Sequence, residues 1–233
     1  MKKVFALSFL LACLLGIATT SCKSTSDDPG FDPDKIYYDF VTLEGKSSTG
    51  TTFTFQKMGD SPMITLTTSQ IIKGDDIKVG QRLMIGYSSD SGERYVSGNI
   101  TVYAMISVFG PEIKEGTAAS TGKWNSDRFM MVNLWRTGDY INVMGLANYT
   151  SRPRVFDLYL DSTTADSEYP ELHIVYTTDI DTQRQIDLLG SFNISSIWNK
   201  PGCKGVKISY RGDLGESSTT ITKDNPSEIR PAE

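Results

Sequence analysis

The chain has 233 residues, with 28 acidic and 23 basic side chains, a net charge of −5, one histidine and three cysteines. That balance argues against nucleic acid held on a phosphate-neutralising basic surface. The single histidine and the lack of any CxxC pair exclude zinc sites built on two or more histidines or on paired cysteines, and any Ser-His-Asp arrangement would have to use His173.

Met1-Lys2-Lys3 precedes an apolar run from Val4 to Ala18. As a helix this run would be roughly 22 Å long, short of a hydrocarbon core of about 30 Å, so it reads as a secretory signal peptide over residues 1–21. Cys22 follows the small residues Thr19, Thr20 and Ser21. A lipoprotein signal peptidase needs cysteine at the first mature position, where the thiol carries a diacylglyceryl group, so Cys22 is the candidate lipid attachment. Cys13 is the closer literal match, but cleavage there would shorten the apolar run and leave LLGIA exposed. Plain secretion without an anchor is the alternative. Residues 22–35 include KSTSDDPGFDPDK, which is too polar to offset its ordering entropy and reads as a flexible tether. Its Ser26-Asp27-Asp28 resembles a signal that sends some bacterial lipoproteins to the cell surface. Without residues 1–21 the net charge is −7, and of the three cysteines only Cys203 is left over, with no partner for a disulfide. A small residue in a Pro-Gly turn is the reading for Cys203; a disulfide-linked dimer is the rival.

Period-two alternation dominates from Ile36 onward. Strands are expected over 36–43, 51–56, 63–68, 81–87 and 96–108, with turns at EGKSSTG, GDSP and KGDD. In the longest, Val96, Gly98, Ile100, Val102, Ala104, Ile106 and Val108 make one small or apolar face, with a bend expected at Gly98. Five strands in this short span suggest a closed or nearly closed barrel over residues 36–115. Residues 110–127 are rich in Gly, Ser and Thr and read as a domain boundary, or alternatively as a long loop. RFMMVNLW and YINVMGLANY flank Arg136-Thr137-Gly138-Asp139, which reads as a hairpin loop. VFDLYL, ELHIVY, QIDLLGSFNI, GVKISY and STTIT complete about seven antiparallel strands, a β-sandwich over residues 116–222, and residues 223–233 form a polar tail. The fold class is all-β.

The lipid-attachment cysteine, the five-strand segment containing VGQRLMIGY (79–87) and the sandwich opened by FMMVNLWRTGDYINVMG (129–145) together resemble the NigD-like lipoproteins. The resemblance runs from Ile36 to Thr222. It implies an N-terminal OB-like barrel followed by a β-sandwich, and it brings a suggested link to bacteriocin immunity but no functional residues. OB barrels often bind single strands of nucleic acid or oligosaccharides across one face, although fold is a poor guide to function.

No constellation of residues announces catalysis. His173, between Leu172 and Ile174, is expected to point outward beside Glu171, and no GxSxG elbow is present. Glu44-Gly45-Lys46-Ser47 echoes a phosphate-binding loop but has Phe40 where glycine is needed. Asp179 to Gln183 begins like a calcium loop but has Arg184 and Gly190 where glycine and glutamate are required. Asp157, Asp161, Glu168 and Glu171 gather around one expected loop, as a carboxylate pair for glycan hydrolysis would need to. Trp124, Trp135, Tyr140, Tyr149 and Trp198 are candidate sugar-stacking or protein-binding rings, with core packing as the simpler reading. Asp161-Ser162-Thr163 matches a short O-glycosylation sequon. The sequence therefore points to a non-enzymatic envelope lipoprotein, held to a bilayer through Cys22, most simply at the outer membrane. Its two β-domains would serve an unidentified protein or glycan, with no cofactor and no metal. An immunity protein and a carboxylate-dependent glycan hydrolase are the alternatives.

Overall fold

A computed structural model of the chain describes residues 35–72, 77–110, 112–149, 155–178 and 184–224. The first five strands are β1 (Tyr37–Ser47), β2 (Gly50–Gln56), β3 (Met63–Thr68), β4 (Arg82–Ser89) and β5 (Gly98–Ser107). They close into a barrel in the order β1-β2-β3-β5-β4, with only β3 and β5 parallel. This is the OB arrangement. Alternation drives it: Val41, Leu43, Phe53, Phe55, Ile64, Leu66, Leu83, Ile85, Tyr87 and Ile100 point inward and are buried.

Two register shifts let the sheet curve shut. β1 shifts between Leu43 and Gly45, where it passes from one neighbour to the other. The shift on β5 corrects the continuous face expected from Val96 to Val108. Gly86 pairs with Ala104 but Tyr87 pairs with Val102, so Tyr103 is an extra residue. Such a bulge reverses the alternation beyond it. Ile100 and Val102 face the barrel core on one side of the bulge and Met105 faces it on the other. The strand turns its phase at Tyr103.

The second part comprises β6 (Lys114–Gly116), β7 (Met130–Thr137), β8 (Tyr140–Tyr149), β9 (Val155–Asp161), β10 (Glu171–Thr177), β11 (Arg184–Asn193), a one-turn helix α1 (Ser195–Trp198), β12 (Gly205–Gly212) and β13 (Gly215–Thr222). The expected boundary between residues 115 and 116 falls within β6. A five-stranded sheet, β13-β12-β10-β9-β6, faces a three-stranded sheet, β11-β8-β7. Most ladders are antiparallel. β10–β12 and β6–β9 are parallel. For β10–β12 this follows because the chain crosses to the other sheet as β11 before returning. β7 runs on through Arg136 and Thr137, so the hairpin turn is only Gly138-Asp139, with Gly138 at φ 53°.

Between these sheets lies a core rich in aromatic rings. Phe156 makes edge-on contacts with Phe109, Phe129, Tyr176 and Phe192 at centroid distances of 5.6–6.4 Å. β11 is buried without a break from Leu188 to Phe192. One face of it meets this core; on the other, Ser191 meets Arg82 of the barrel.

Candidate functional site

The outer wall of β1 and β4 changes character along its length. The register pairs Tyr38 with Gly86, Phe40 with Met84 and Thr42 with Arg82. At the first step Tyr38 is 42% exposed; two residues on, Phe40 is 6% exposed and meets the Trp135 ring edge-on at 5.4 Å; at the last step Arg82 is 4% exposed. One end of this wall is open to solvent and the other is pressed against the sandwich.

At the covered end Arg82 bridges the two parts. Its Nε donates to Ser191 Oγ at 3.0 Å, Nη1 to Thr42 Oγ1 at 3.1 Å and Nη2 to Asn142 Oδ1 at 3.2 Å. Ser191 Oγ also donates to Asn142 Oδ1 at 2.8 Å, and Asn142 Nδ2 donates to Thr137 Oγ1 at 2.8 Å. The guanidinium lies over the Tyr140 ring, 4.3 Å from its centroid. Burial lowers the Arg82 pKa to about 10, so the group keeps its charge at neutral pH.

The chain leaving β5 passes beside this network. Phe109 N–H donates to Leu189 O and Ser191 N–H donates to Phe109 O, both at 2.8 Å. Gly110, at φ 110°, lies so close to β11 that a Cβ there would sit 2.3 Å from Ser191 O. A cleft of about 280 Å³ opens here, lined by Lys78, Gln81, Arg82, Val108 and Gly110. A second clamp joins the β2–β3 turn to β7: the Arg136 guanidinium makes a two-pronged contact with Asp60, at 2.9 Å and 2.6 Å, and lies 4.2 Å from the centroid of the Trp198 ring.

At the open end, two half-exposed tyrosines share the wall. The Tyr38 ring lies against Gly86, where a Cβ would be only 2.7 Å from a ring carbon, and Ala104 is the next contact. The bulge residue Tyr103 is 43% exposed, with its hydroxyl 3.1 Å from Ser88 Oγ. Gly86 and Ser88 are alternate residues of β4, so both rings occupy one strip of the barrel surface. Behind that strip, Asp39 faces inward and accepts from Tyr87 Oη at 2.9 Å and from Arg94 Nη2 at 2.8 Å. Burial raises the Asp39 pKa against the pull of Arg94, and burial with the Asp39 charge raises that of Tyr87. The β2–β3 face, where OB barrels commonly bind ligands, presents Thr52, Thr54, Thr65 and Thr67 and no aromatic ring.

The residues singled out in the sequence are scattered. Cys22, the signal peptide, the tether up to Asp34, the calcium-like run 179–183 and the tail from 225 onward lie outside the described residues. Among the suspected carboxylates, Asp157 pairs with Lys114 at 2.7 Å, Glu168 with Lys204 at 2.6 Å and Glu171 with Lys207 at 2.8 Å. Asp161 Oδ1 instead accepts from the backbone N–H and hydroxyl of Thr163 at 3.0 Å and 2.8 Å, forming a turn. Ser162 is exposed within that turn. Among the described residues, no three His, Cys, Asp or Glu side chains converge as a metal ion would require.

His173 lies on the outer face, as expected, but it is covered. Gly122, Lys123 and Trp124, at φ 65°, 62° and 58°, turn the chain back so that the indole stacks on the imidazole at 4.1 Å. Burial lowers the His173 pKa, and its Nε2 has no hydrogen-bond partner among the described residues, with Glu171 Oε2 4.0 Å away. Cys203 is buried and its thiol donates to Gly205 O at 3.3 Å. Trp198 is buried, while Trp135 and Tyr140 are partly buried at the junction. Of the sequence candidates, only Trp135 and Tyr140 take part in the two structured sites, both at the junction and neither at the Tyr38–Tyr103 wall. The available signal was polar residues out of place, Asn142 in YINVMG and Ser191 in LLGSF.

No protein-family model matches the chain, and no curated protein matches it. Solved structures do. A DUF1344 protein of unknown function from Bacteroides vulgatus is 18% identical with a TM-score of 0.64, over 80% of this chain and 90% of that one. A NigD-like immunity protein from Bacteroides caccae is 16% identical with a TM-score of 0.58, over 84% and 97%. A candidate lipoprotein from Bacteroides fragilis is 14% identical with a TM-score of 0.54, over 84% and 98%. At these identities the shared property is the fold, and the resemblance to NigD-like proteins read from the sequence is present at that level.

Proposed function

We propose that this chain is an exported bacterial envelope lipoprotein that acts by binding and not by catalysis. In this reading Cys22 carries acyl chains that fix it to the outer membrane, where more than one chain makes anchoring effectively permanent. Residues 23–35 are the tether, and the barrel and sandwich together present a surface to a protein or a glycan, without a cofactor and without nucleic acid. The fold shared with a candidate lipoprotein supports the placement. The lysine partners of Asp157, Glu168 and Glu171 support the absence of an acid–base pair, since each carboxylate is occupied in an ion pair.

The observation that carries the reading is the tyrosine wall. Tyr38 and Tyr103 offer apolar ring faces with polar tips on a rigid strand pair, the kind of surface that recognises proteins and sugars at low entropic cost. The test uses the full chain in detergent on a glycan array, together with cross-linking in intact cells. Wild type should show a saturable partner, and Tyr38→Ala with Tyr103→Ala should weaken it by at least about tenfold. Undiminished binding by the double variant removes the wall from the reading, and hydrolysis of the bound glycan replaces binding with catalysis. Labelled palmitate entering wild type but not Cys22→Ala tests the anchor.

Interception of a toxin at the envelope is the second reading, favoured by the fold shared with a NigD-like immunity protein. A deletion strain whose sensitivity to bacteriocins of related strains is unchanged would count against it.

A further inference from the structure

Arg82 carries a buried positive charge with no carboxylate among its contacts in the described residues. A guanidinium has five N–H groups. Three of them donate to Ser191, Thr42 and Asn142, all neutral. One N–H therefore remains on each terminal nitrogen, Nη1 and Nη2. Tyr140 covers one face of the group, and the cleft of about 280 Å³ has Arg82 in its wall. Buried charges are ordinarily paired, because desolvation without compensation is expensive. Losing the proton offers no escape at neutral pH, since the pKa is about 10 even after burial.

The cleft leaves room for the anion the buried cation lacks. Lys78, an exposed lining residue, makes no ion pair among the described residues, and it adds a second positive charge to the lining. Gln81 lines the same cleft, with its Nε2 3.5 Å from Ser107 Oγ. The volume lies near the lower end of ligand pockets, about 300 Å³, and suits a head group better than a whole chain.

We infer that this junction cleft is a carboxylate-binding site, in which the two oxygens of a small ligand's carboxylate take the remaining N–H groups of Arg82 while Lys78 attracts it. Two parallel N–H···O contacts are the preferred meeting of guanidinium and carboxylate. A carboxylate is favoured over a phosphate dianion because only one buried cation is present, and a second negative charge would enter the cleft without compensation. The carboxylate could belong to an acidic sugar or to a peptide C-terminus. The site is separate from the tyrosine wall and stands or falls without it.

The experiment measures the thermal midpoint and calorimetric binding of the full chain in detergent with sodium acetate, glucuronate, an N-acetylated dipeptide and phosphate, each against chloride at matched ionic strength. Acetate, and more tightly glucuronate or the dipeptide, should raise the midpoint saturably; the tighter of the two identifies the source of the carboxylate. Lys78→Ala, at an exposed position, should keep the fold and weaken binding about threefold, and Lys78→Glu about tenfold. Arg82→Lys keeps the charge but loses the fork and should abolish binding; if it does not fold, the Lys78 pair decides. The inference is overturned if carboxylates act no differently from chloride, if Lys78→Glu binds as wild type does, or if phosphate binds as tightly as the carboxylates.

Discussion

Asp60 and Asp39 both meet an arginine, yet their protons respond in opposite ways. Hydrogen bonds from Arg136 hold Asp60 below 3.8, whereas burial outweighs Arg94 and lifts Asp39 above it. The Asp60 contribution to stability is therefore present above the unfolded pKa and lost as pH falls through the lower folded value. For Asp39 the contribution is full below 3.8 and lost as pH rises through its raised value. Asp60 itself is largely exposed, so solvent reduces the worth of the pair, but Arg136 is 3% exposed and without the Asp60 charge would keep only neutral partners, the Gly138 carbonyl and the Trp198 ring. Asp60→Asn should cost about 1–2 kcal/mol at pH 7 and flatten the acid limb of a urea-unfolding series between pH 2 and 5. An unchanged acid limb would mean that the pair does not stabilise the fold. None of this was legible in the sequence, because the partners are 76 residues apart and neither sits in a recognisable motif.

At the scale of single strands the sequence reads well wherever one face alone is buried. Phe156, Leu158 and Leu160, or Leu172, Ile174 and Tyr176, alternate as their residue types require. It fails where a second layer intervenes. Leu189 and Ser191 look outward by alternation, yet both are buried, Ser191 against Arg82 of the barrel. The bulge at Tyr103 was equally hidden, because an extra residue leaves composition unchanged while reversing which side chains face inward. Gly190, noted in the sequence for breaking a calcium-loop pattern, proves to be a packing requirement. A Cβ there would lie 2.6 Å from a Phe192 ring carbon and 2.8 Å from one of Phe156. Those rings are 5.8 Å apart in mutual edge contact and have little room to retreat. Gly190→Ala should destabilise by about 1–3 kcal/mol in urea unfolding, while Gly98→Ala, with nothing within 4 Å, should have little effect. Equal effects at the two positions would contradict this packing account.

The barrel and the sandwich each have their own core, and both were foreseeable from strand count and turn spacing. Their contact was not, since it depends on side chains of β1, β4, β8 and β11 that meet only in space. Phe40 against Trp135, Arg82 within its network and the Asp60–Arg136 clamp all cross that contact. Scanning calorimetry of the wild type should accordingly give one transition, because unfolding either part strips cover from the other; two resolved transitions would show that the contact does not couple them. The dependence of the barrel on β11 also has a consequence in time. Ser191 follows Arg82 by 109 residues, and a ribosome adding about 5–20 residues per second needs roughly 5–20 s to supply it. During that interval the nascent barrel can close its strands, but Phe40 and Arg82 face water or whatever escort the cell provides. The first half of the molecule is thus born with a raw seam, and a chaperone has several seconds in which to find it.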